Sequence, residues 1–471
     1  MKHLKTWAMM LTTVVVTTGC ASIVPKPGFN EISEQVSQRI GKKIHWKQEG
    51  PDDKAVEASV RKMLKDELSA EEAVQIALLA NPRLQATYEE LGMAQADLVQ
   101  AGLLRNPVFG ITRGRPRSED IVNFELEIAW DFLGVLTIPL RKKAAEDAFE
   151  VAKLRVTGEV MSLASDVRKA FFEAQANQQM VEMMERVVEG TDASLFAAKR
   201  LREAGNITEL ELDKRSTLHY ESRLLLSSAE SALTASREHL NVLMGLWGSA
   251  TRWTMQDRLP DVPEQALDLK DIESNAVKKN LQLAIIKHEI RRAAQRAGLA
   301  DATSLINDLE IGFSTERDDG KYEDSILLEF NLPIFDMGQA RQARAQAEFQ
   351  QLRARYVEQA IMVRSSARNA ANQIKIARKR ERFIRDVLMP LRERITNASQ
   401  LEYNGMQVGV FDLLMTQQKQ IATAQNYIMA LRDYWLARTN AGQVKNGGMA
   451  DGGMMMSSGA MSMSGGSEGG H

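Results

Sequence analysis

Val122-Asn123-Phe124-Glu125-Leu126-Glu127-Ile128-Ala129-Trp130-Asp131-Phe132 decides how this chain is to be read. Phe124, Leu126, Ile128, Trp130 and Phe132 alternate with Asn123, Glu125, Glu127, Ala129 and Asp131. Period two makes a strand with one apolar and one acidic face, and about ten residues is the length a strand needs to cross a bilayer in a barrel. The pattern returns later in the chain. Leu309, Ile311 and Phe313 stand against Glu310, Gly312 and Ser314, and Leu328, Phe330 and Leu332 against Leu327, Glu329 and Asn331. Phe109 and Ile111 suggest one more strand, so the expected strands are about 108–113, 121–132, 309–315 and 324–332. Charged turns near Arg113–Glu119 and Thr315–Asp324 suit water. Soluble hairpins packed on helices share this alternation, so both readings stand at this point. On the membrane reading four strands cannot close a barrel, and an open edge is not tolerated in lipid. Chains must then associate, two giving eight strands and three giving twelve.

Outward from the strands the period changes. No proline occurs between Pro139 and Pro260, and 141–203 is rich in Ala, Glu, Lys, Arg and Met, all strong helix formers. A helix of that span is about 95 Å long. Residues 338–402 repeat the composition. Such rods must fold back as coiled-coil-like hairpins, turning at Gly205 and Gly405 and returning along 208–246 and 409–441.

The two halves are one unit written twice. Leu68-Ser69-Ala70-Glu71-Glu72 opens a helix carrying Ala77, Asn81 and Leu84; 199 residues on, Leu267-Asp268-Leu269-Lys270-Asp271 opens another carrying Ala276, Asn280 and Leu283. Ser69 with Glu72, and Asp268 with Asp271, read as capping boxes or near variants. Gly205 and Gly405, like Gly190 and Pro390, stand 200 apart. The expected organisation is a signal peptide at 1–19, an N-terminal segment at 20–65, a first repeat at 66–250, a linker at 251–263, a second repeat at 264–445 and a tail at 446–471. Each repeat runs helix (about 70–103, then 271–300), strand pair, long helical hairpin.

The 471 residues carry 60 Lys plus Arg against 62 Asp plus Glu, a net charge of −2 that argues against nucleic-acid binding by bulk charge. With 44% hydrophobic residues the chain folds rather than staying disordered, and with one cysteine it has no intrachain disulfide. That cysteine, Cys20, follows Lys2, His3 and Lys5, a short apolar core from Trp7 to Val16, and Thr17-Thr18-Gly19. This is the pattern of a secretory signal. Its small residues ending in Gly-Cys resemble a bacterial lipobox, with Thr17 where Leu is usual; Ala21 and Ser22, with no Asp, imply outer-membrane sorting of a lipidated, palmitate-bearing Cys20. The histidines (His3, His45, His219, His239, His288 and His471) are scattered, and no His-Glu-x-x-His pair, Cys-based metal spacing or P-loop glycine run occurs. The chain reads as a non-enzyme. Residues 446–471 hold nine glycines and Met449, Met454, Met455, Met456, Met461 and Met463, ending at His471. Such a composition builds no core, and its soft thioethers favour Cu(I) and Ag(I). Capture of those ions by the tail is one reading and an inert tail the other. No resident cofactor is expected.

Two repeats of helix, strand pair and long hairpin behind a lipobox resemble the outer-membrane efflux protein (TolC-like) family over about 66–445. The marks are Ala80-Asn81-Pro82-Arg83-Leu84, Gln100-Ala101 with Asn106-Pro107, Ile138-Pro139-Leu140, Leu332-Pro333-Ile334 and the two glycine turns. The second repeat has Leu281 in place of Pro82, and its turn is one residue longer before its leucines resume. The resemblance implies a mainly α fold with a transmembrane β-barrel. A homotrimer would carry a 12-stranded barrel in the outer membrane and an α-helical tunnel through the periplasm, as a passive duct fed by an inner-membrane pump through a periplasmic adaptor. Glu125, Glu127, Asp131, Glu310 and Glu329 would then line an acidic lumen. Asp412 falls where the family places an acidic periplasmic gate. The turns Gly205-Asn206-Ile207-Thr208 and Gly405-Met406-Gln407-Val408 would dock the adaptor, with Ile207, Met406 and Val408 exposed. Cu(I) or Ag(I) is the expected cargo. A drug or small-molecule duct, and an adaptor or coiled-coil scaffold lipoprotein, are the alternatives; the scaffold predicts no alternating strands.

Overall fold

The computed structural model describes residues 24–114, 123–302, 309–318, 321–331 and 334–449. Cys20 and the tail from 450 lie outside them. In chain order the elements are α1 (Phe29–Ile40), α2 (Pro51–Met63), α3 (Ala70–Ala80), α4 (Pro82–Gly102), β1 (Val108–Gly114), β2 (Asn123–Asp131), α5 (Phe132–Glu203) and α6 (Glu209–Met244). After a short 3-10 turn at Gly248–Thr251 come α7 (Ile272–Lys279), α8 (Leu281–Ala302), β3 (Leu309–Asp318), β4 (Lys321–Phe330), α9 (Gln339–Phe383), a π-helical turn (Ile384–Leu388), α10 (Met389–Asn404) and α11 (Val410–Lys445). No described helix is long and apolar enough to cross a membrane. The chain divides into two compact units. One takes Glu89–Lys153 and Ile285–Arg355 with the start of the chain, the other Glu31–Tyr88, Leu154–Ala284 and the chain from Tyr356.

The first unit holds a single antiparallel sheet in the order β1-β2-β3-β4, so strand pairs from both repeats join in one layer. Beside it, His288 Nδ1 meets Asp147 Oδ1 at 2.7 Å and Gln295 donates to Asp147 Oδ2 at 3.0 Å, an interhelical knot between α5 and α8. The start of α5 differs from expectation, because the helix begins at Phe132 and carries Pro139 within it. Proline lacks the N–H that an interior position supplies. At the start of the helix Asp131 Oδ1 accepts from Gly134 N at 2.6 Å, and the Gly134 carbonyl accepts from Thr137 Oγ1 and Arg141, so side chains hold the first turn.

In the second unit the first helix of each repeat, expected as one piece, is broken in two. Asn81 is extended (ψ 119°), as a residue before proline must be. Asn280 is extended as well (ψ 122°) although Leu281 follows it. The shared cause is the asparagine side chain, whose Oδ1 accepts from the backbone N of Leu84 (3.1 Å) and Leu283 (2.9 Å) and so caps the next helix. Each asparagine also donates to the end of its repeat's last helix, at Leu243 O (2.8 Å) or Gly447 O (3.4 Å). Gly245, at φ +69°, leaves no room for a side chain: a Cβ there would lie 2.8 Å from Pro82 Cδ and 2.9 Å from Asn81 Cα. The capping box forms at Ser69 and Glu72 (3.3 and 3.0 Å). It does not form at Asp268 and Asp271. Asp268 instead accepts from Lys270 N, and Asp271 is left-handed with no side-chain cap, because α7 starts later and is shorter than α3.

The outgoing arms keep the 200-residue offset through their buried positions, Val167 with Ala367, Ala170 with Ala370 and Ala174 with Ile374. At the π-helical turn beside Pro390 one extra residue is absorbed, the usual origin of such a turn. Beyond it the offset is 201, and the two return helices α6 and α11 are equal at 36 residues. The segment between the repeats is tied down by Gln175 to Gln256 O and Arg258 O, and by Trp435 to Pro260 O.

Candidate functional site

The sheet sorts its side chains into rows. Phe109, Ile128, Phe313 and Ile326 are successive register partners on one face, and Phe124, Trp130, Ile311 and Leu328 on that face are exposed. On the opposite face Asp131, Glu310 and Glu329 form one row, and Glu125, Glu316 and Glu323 another. Glu127 pairs with Ser314. All five anticipated acidic residues thus share a face. Glu316 and Glu323 were missed, although counting by two from Glu310 and back from Glu329 reaches them. Like charges directly opposite one another destabilise a sheet. Arg105 Nη1, 3.1 Å from Asp131 Oδ2, relieves part of that strain. Edge strands β1 and β4 each pair on one side within the chain.

The hairpin tips have one geometry at a shifted position. At the first, Asn206 N donates to Leu201 O (2.8 Å) and Gly205 N to Arg202 O (2.9 Å), with Gly205 at φ +77°. At the second, Gln407 N donates to Glu402 O (2.8 Å) and Met406 N to Tyr403 O (3.0 Å), with Met406 at φ +56°. Both are Schellman closures, whose turning residue is left-handed. The expectation that Gly405 makes the second turn is therefore corrected: Gly405 sits at φ −81° and the residue added at the π-helical turn hands its place to Met406. Met406 is 94% exposed, whereas Ile207 and Val408, expected to be exposed, are half-buried. Each precedes the N-cap of the return helix, where an apolar side chain folds back on the first turn.

The caps differ. Thr208 Oγ1 accepts from Glu211 N (3.2 Å) and Glu211 Oε2 from Thr208 N (3.0 Å). The second cap is Gly409, with no side chain, so Asp412, the counterpart of Glu211, stands exposed in the first turn of α11. Behind the tips the hairpins meet. Leu218, Val410 and Leu414 pack with Tyr403 in one apolar cluster. Arg215 donates to Ser194 Oγ (2.7 Å) on the first hairpin and to Tyr403 OH (3.2 Å) on the second. Sequence gave no sign of this tie, since nothing local marks Arg215 among so many arginines.

Further along, Glu381 is fully buried; its Oε1 meets Arg385 at 3.1 Å, while Oε2 has no partner. Burial pushes its carboxyl above the ordinary glutamate range, with Arg385 opposing. Met449, first of the tail methionines, is described: its Sδ lies 3.0 Å from Gln359 Nε2. Met454, Met455, Met456, Met461, Met463 and His471 fall outside the described residues, as does Cys20. Among the described residues no group of three or more His, Cys, Asp or Glu is placed to hold a metal ion.

Comparison with known proteins accords with this geometry. Residues 73–246 match the outer membrane efflux protein family. The cobalt-zinc-cadmium resistance protein CzcC of Cupriavidus metallidurans is 22% identical over 385 residues, covering 80% of this chain and 90% of that protein. Among solved structures, CusC superposes with a TM-score of 0.67 at 13% identity, over 80% of this chain and 92% of that one. The outer membrane protein VceC of Vibrio cholerae gives 0.67 at 14%, over 80% and 96%.

Proposed function

We propose, from the premise that this chain is a TolC-like outer membrane efflux protein, that three copies form the passive outer-membrane duct of a tripartite exporter of metal cations. The observation that carries this is the sheet: one apolar face, one acidic face, and edges at β1 and β4 that further copies can pair. Four antiparallel strands per chain place β4 antiparallel to the β1 of a neighbour. Three chains close twelve strands, with the apolar rows toward lipid and the carboxylate rows toward water. Rings of Glu125, Glu127, Asp131, Glu310 and Glu329, extended by Glu316 and Glu323, favour cations and repel anions. The family works with a periplasmic adaptor and an inner-membrane pump, and we place the adaptor at the Gly205–Thr208 and Met406–Gly409 tips and the gate at Asp412. Cys20 carries the lipid anchor, the repeats span about 66–250 and 264–445, and the tail from Met449 adds thioethers for Cu(I) or Ag(I).

The cation cargo draws support from the acidic rows and from CzcC, whose name specifies cobalt, zinc and cadmium resistance. The test is purification in detergent, mass determination, and planar-bilayer recording in asymmetric KCl. A trimer with cation-selective conductance, shifted toward neutrality in E125Q/E310Q/E316Q, is the expected result. A monomer without conductance removes the duct. A trimer without cation preference removes the metal reading in favour of a drug or small-molecule duct.

A further inference from the structure

The return helix of the second repeat has an outward face with its own pattern. Asp412, Met415, Lys419, Ala422, Asn426 and Met429 are all exposed, Met415 at 48% and Met429 at 43%. Their spacing is strictly three, four, three, four, three, so the stripe keeps one direction along a supercoiled hairpin. Every position of one heptad series, Asp412, Lys419 and Asn426, is polar or charged. A dry helix seam with such a series is costly. The other outward stripe of the same hairpin differs in kind: Val357, Ile361, Ile376, Phe383 and Val387 are exposed and apolar, with Ser365, Arg368, Asn372 and Lys379 exposed between them. A patch of that composition seeks another protein surface, whereas the α11 stripe is built for water.

Resting on the duct reading above, we infer that this α11 stripe lines the tunnel and that Met415 and Met429 are contact rungs for soft monovalent cations. The assignment belongs to the second repeat alone, since the positions 201 residues earlier in α6 are Lys214 and Ser228. Around a threefold axis each methionine occurs three times at one level. Thioethers are neutral, soft donors that select Cu(I) or Ag(I) over hard ions. They carry no charge to trap an ion, and conduction requires sites weak enough to leave. The Asp412 carboxylates, one per chain, are the hard-donor ring at the end of this stripe, and Lys419 one heptad on opposes them, so the soft rungs are Met415 and Met429 alone.

The test uses the full-length trimer in chloride-free buffer, titrated calorimetrically with Ag+ and, separately, Zn2+. The M415L/M429L variant is the comparison, with the natural tail present in both. The expected outcome is loss of one Ag+ per ring in the variant, with the Zn2+ trace unchanged. Accessibility is read independently in M415C and M429C, with wild-type labelling of Cys20 as the blank. Both should react with a charged, bulky maleimide in the trimer, whereas I361C should not. Equal Ag+ uptake by wild type and variant overturns the inference, and so does protection of M415C and M429C with labelling of I361C. In either case the conductance of the same wild-type sample still reports the duct. A sample that is monomeric and silent in bilayers overturns the duct, and this inference with it.

Discussion

The first hairpin, α5 with α6, and the second, α9 and α10 with α11, put the same closure at their tips and finish it with different residues. The first turns on glycine, caps its return helix with Thr208 and Glu211, and braces the loop with Arg202, which bonds Ile207 O (3.1 Å) and Glu209 (3.0 Å). The second turns on Met406, has the bare cap Gly409, and leaves Asp412 exposed. Midway along the arms, buried Val181 is matched by buried Glu381, four residues before the π-helical turn's Arg385. Duplication thus supplied one frame twice, and the second copy gave up local stability where the first kept it. Strained and under-satisfied positions of this kind persist where function holds them.

Five substitutions test that contrast, from the largest effect to the smallest. Gly245→Ala closes a left-handed position against the backbone of Asn81 and should cost ~3 kcal/mol. Gly205→Ala, with the same backbone sign but open space around it, should cost only ~1 kcal/mol; denaturant midpoints compare the two. Glu381→Val, which copies the first repeat, should stabilise by ~2 kcal/mol near neutral pH by removing an unpartnered buried oxygen. The sign follows from burial raising the Glu381 carboxyl. The folded protein holds that proton to higher pH than the unfolded chain, so wild-type stability falls as pH rises through the folded value. The advantage of E381V should therefore widen with rising pH and shrink in acid to the cost of the neutral, unpartnered oxygen, and a constant gap across pH would show that ionisation is not the cause.

Arg215→Ala removes the tie to Ser194 and Tyr403, a loss of ~1 kcal/mol. It should raise amide exchange at residues 403–410 and increase open probability in bilayers, with Y403F milder. If exchange there is unchanged, the hairpins are held by the Leu218, Val410 and Leu414 cluster alone. The smallest effect is Gly409→Thr, which gives Asp412 the same cap partner that Glu211 has. A gain of ~0.5 kcal/mol, read as slower exchange at residues 410–413, is expected.

Much of this was legible before any coordinates. Period-two runs mark the strands because a sheet face repeats every second residue, and the repeat itself shows in Asn81 and Asn280, although the helix break that each one caps was not read from it. What escaped was set by distant packing or by counting. Gly405 was chosen by a constant offset of 200, which the π-helical turn makes 201. Arg215 acquires meaning only when the hairpins lie side by side. Residues 24–65 lack a strong period, yet Ile32, Val36 and Trp46 are buried there.

That early segment is held in an unusual manner. Gln75 accepts from Lys43 N and donates to Lys43 O (3.2 and 2.8 Å), and Gln85 accepts from Lys47 N and donates to His45 O (2.9 Å each). Two side-chain amides thus imitate a neighbouring strand, gripping main-chain groups that every residue but proline provides. The grip is blind to the side chains it passes over, so the exposed Lys43 and Lys47 can vary without moving the course of the segment, whereas a change at Gln75 or Gln85 releases its main chain.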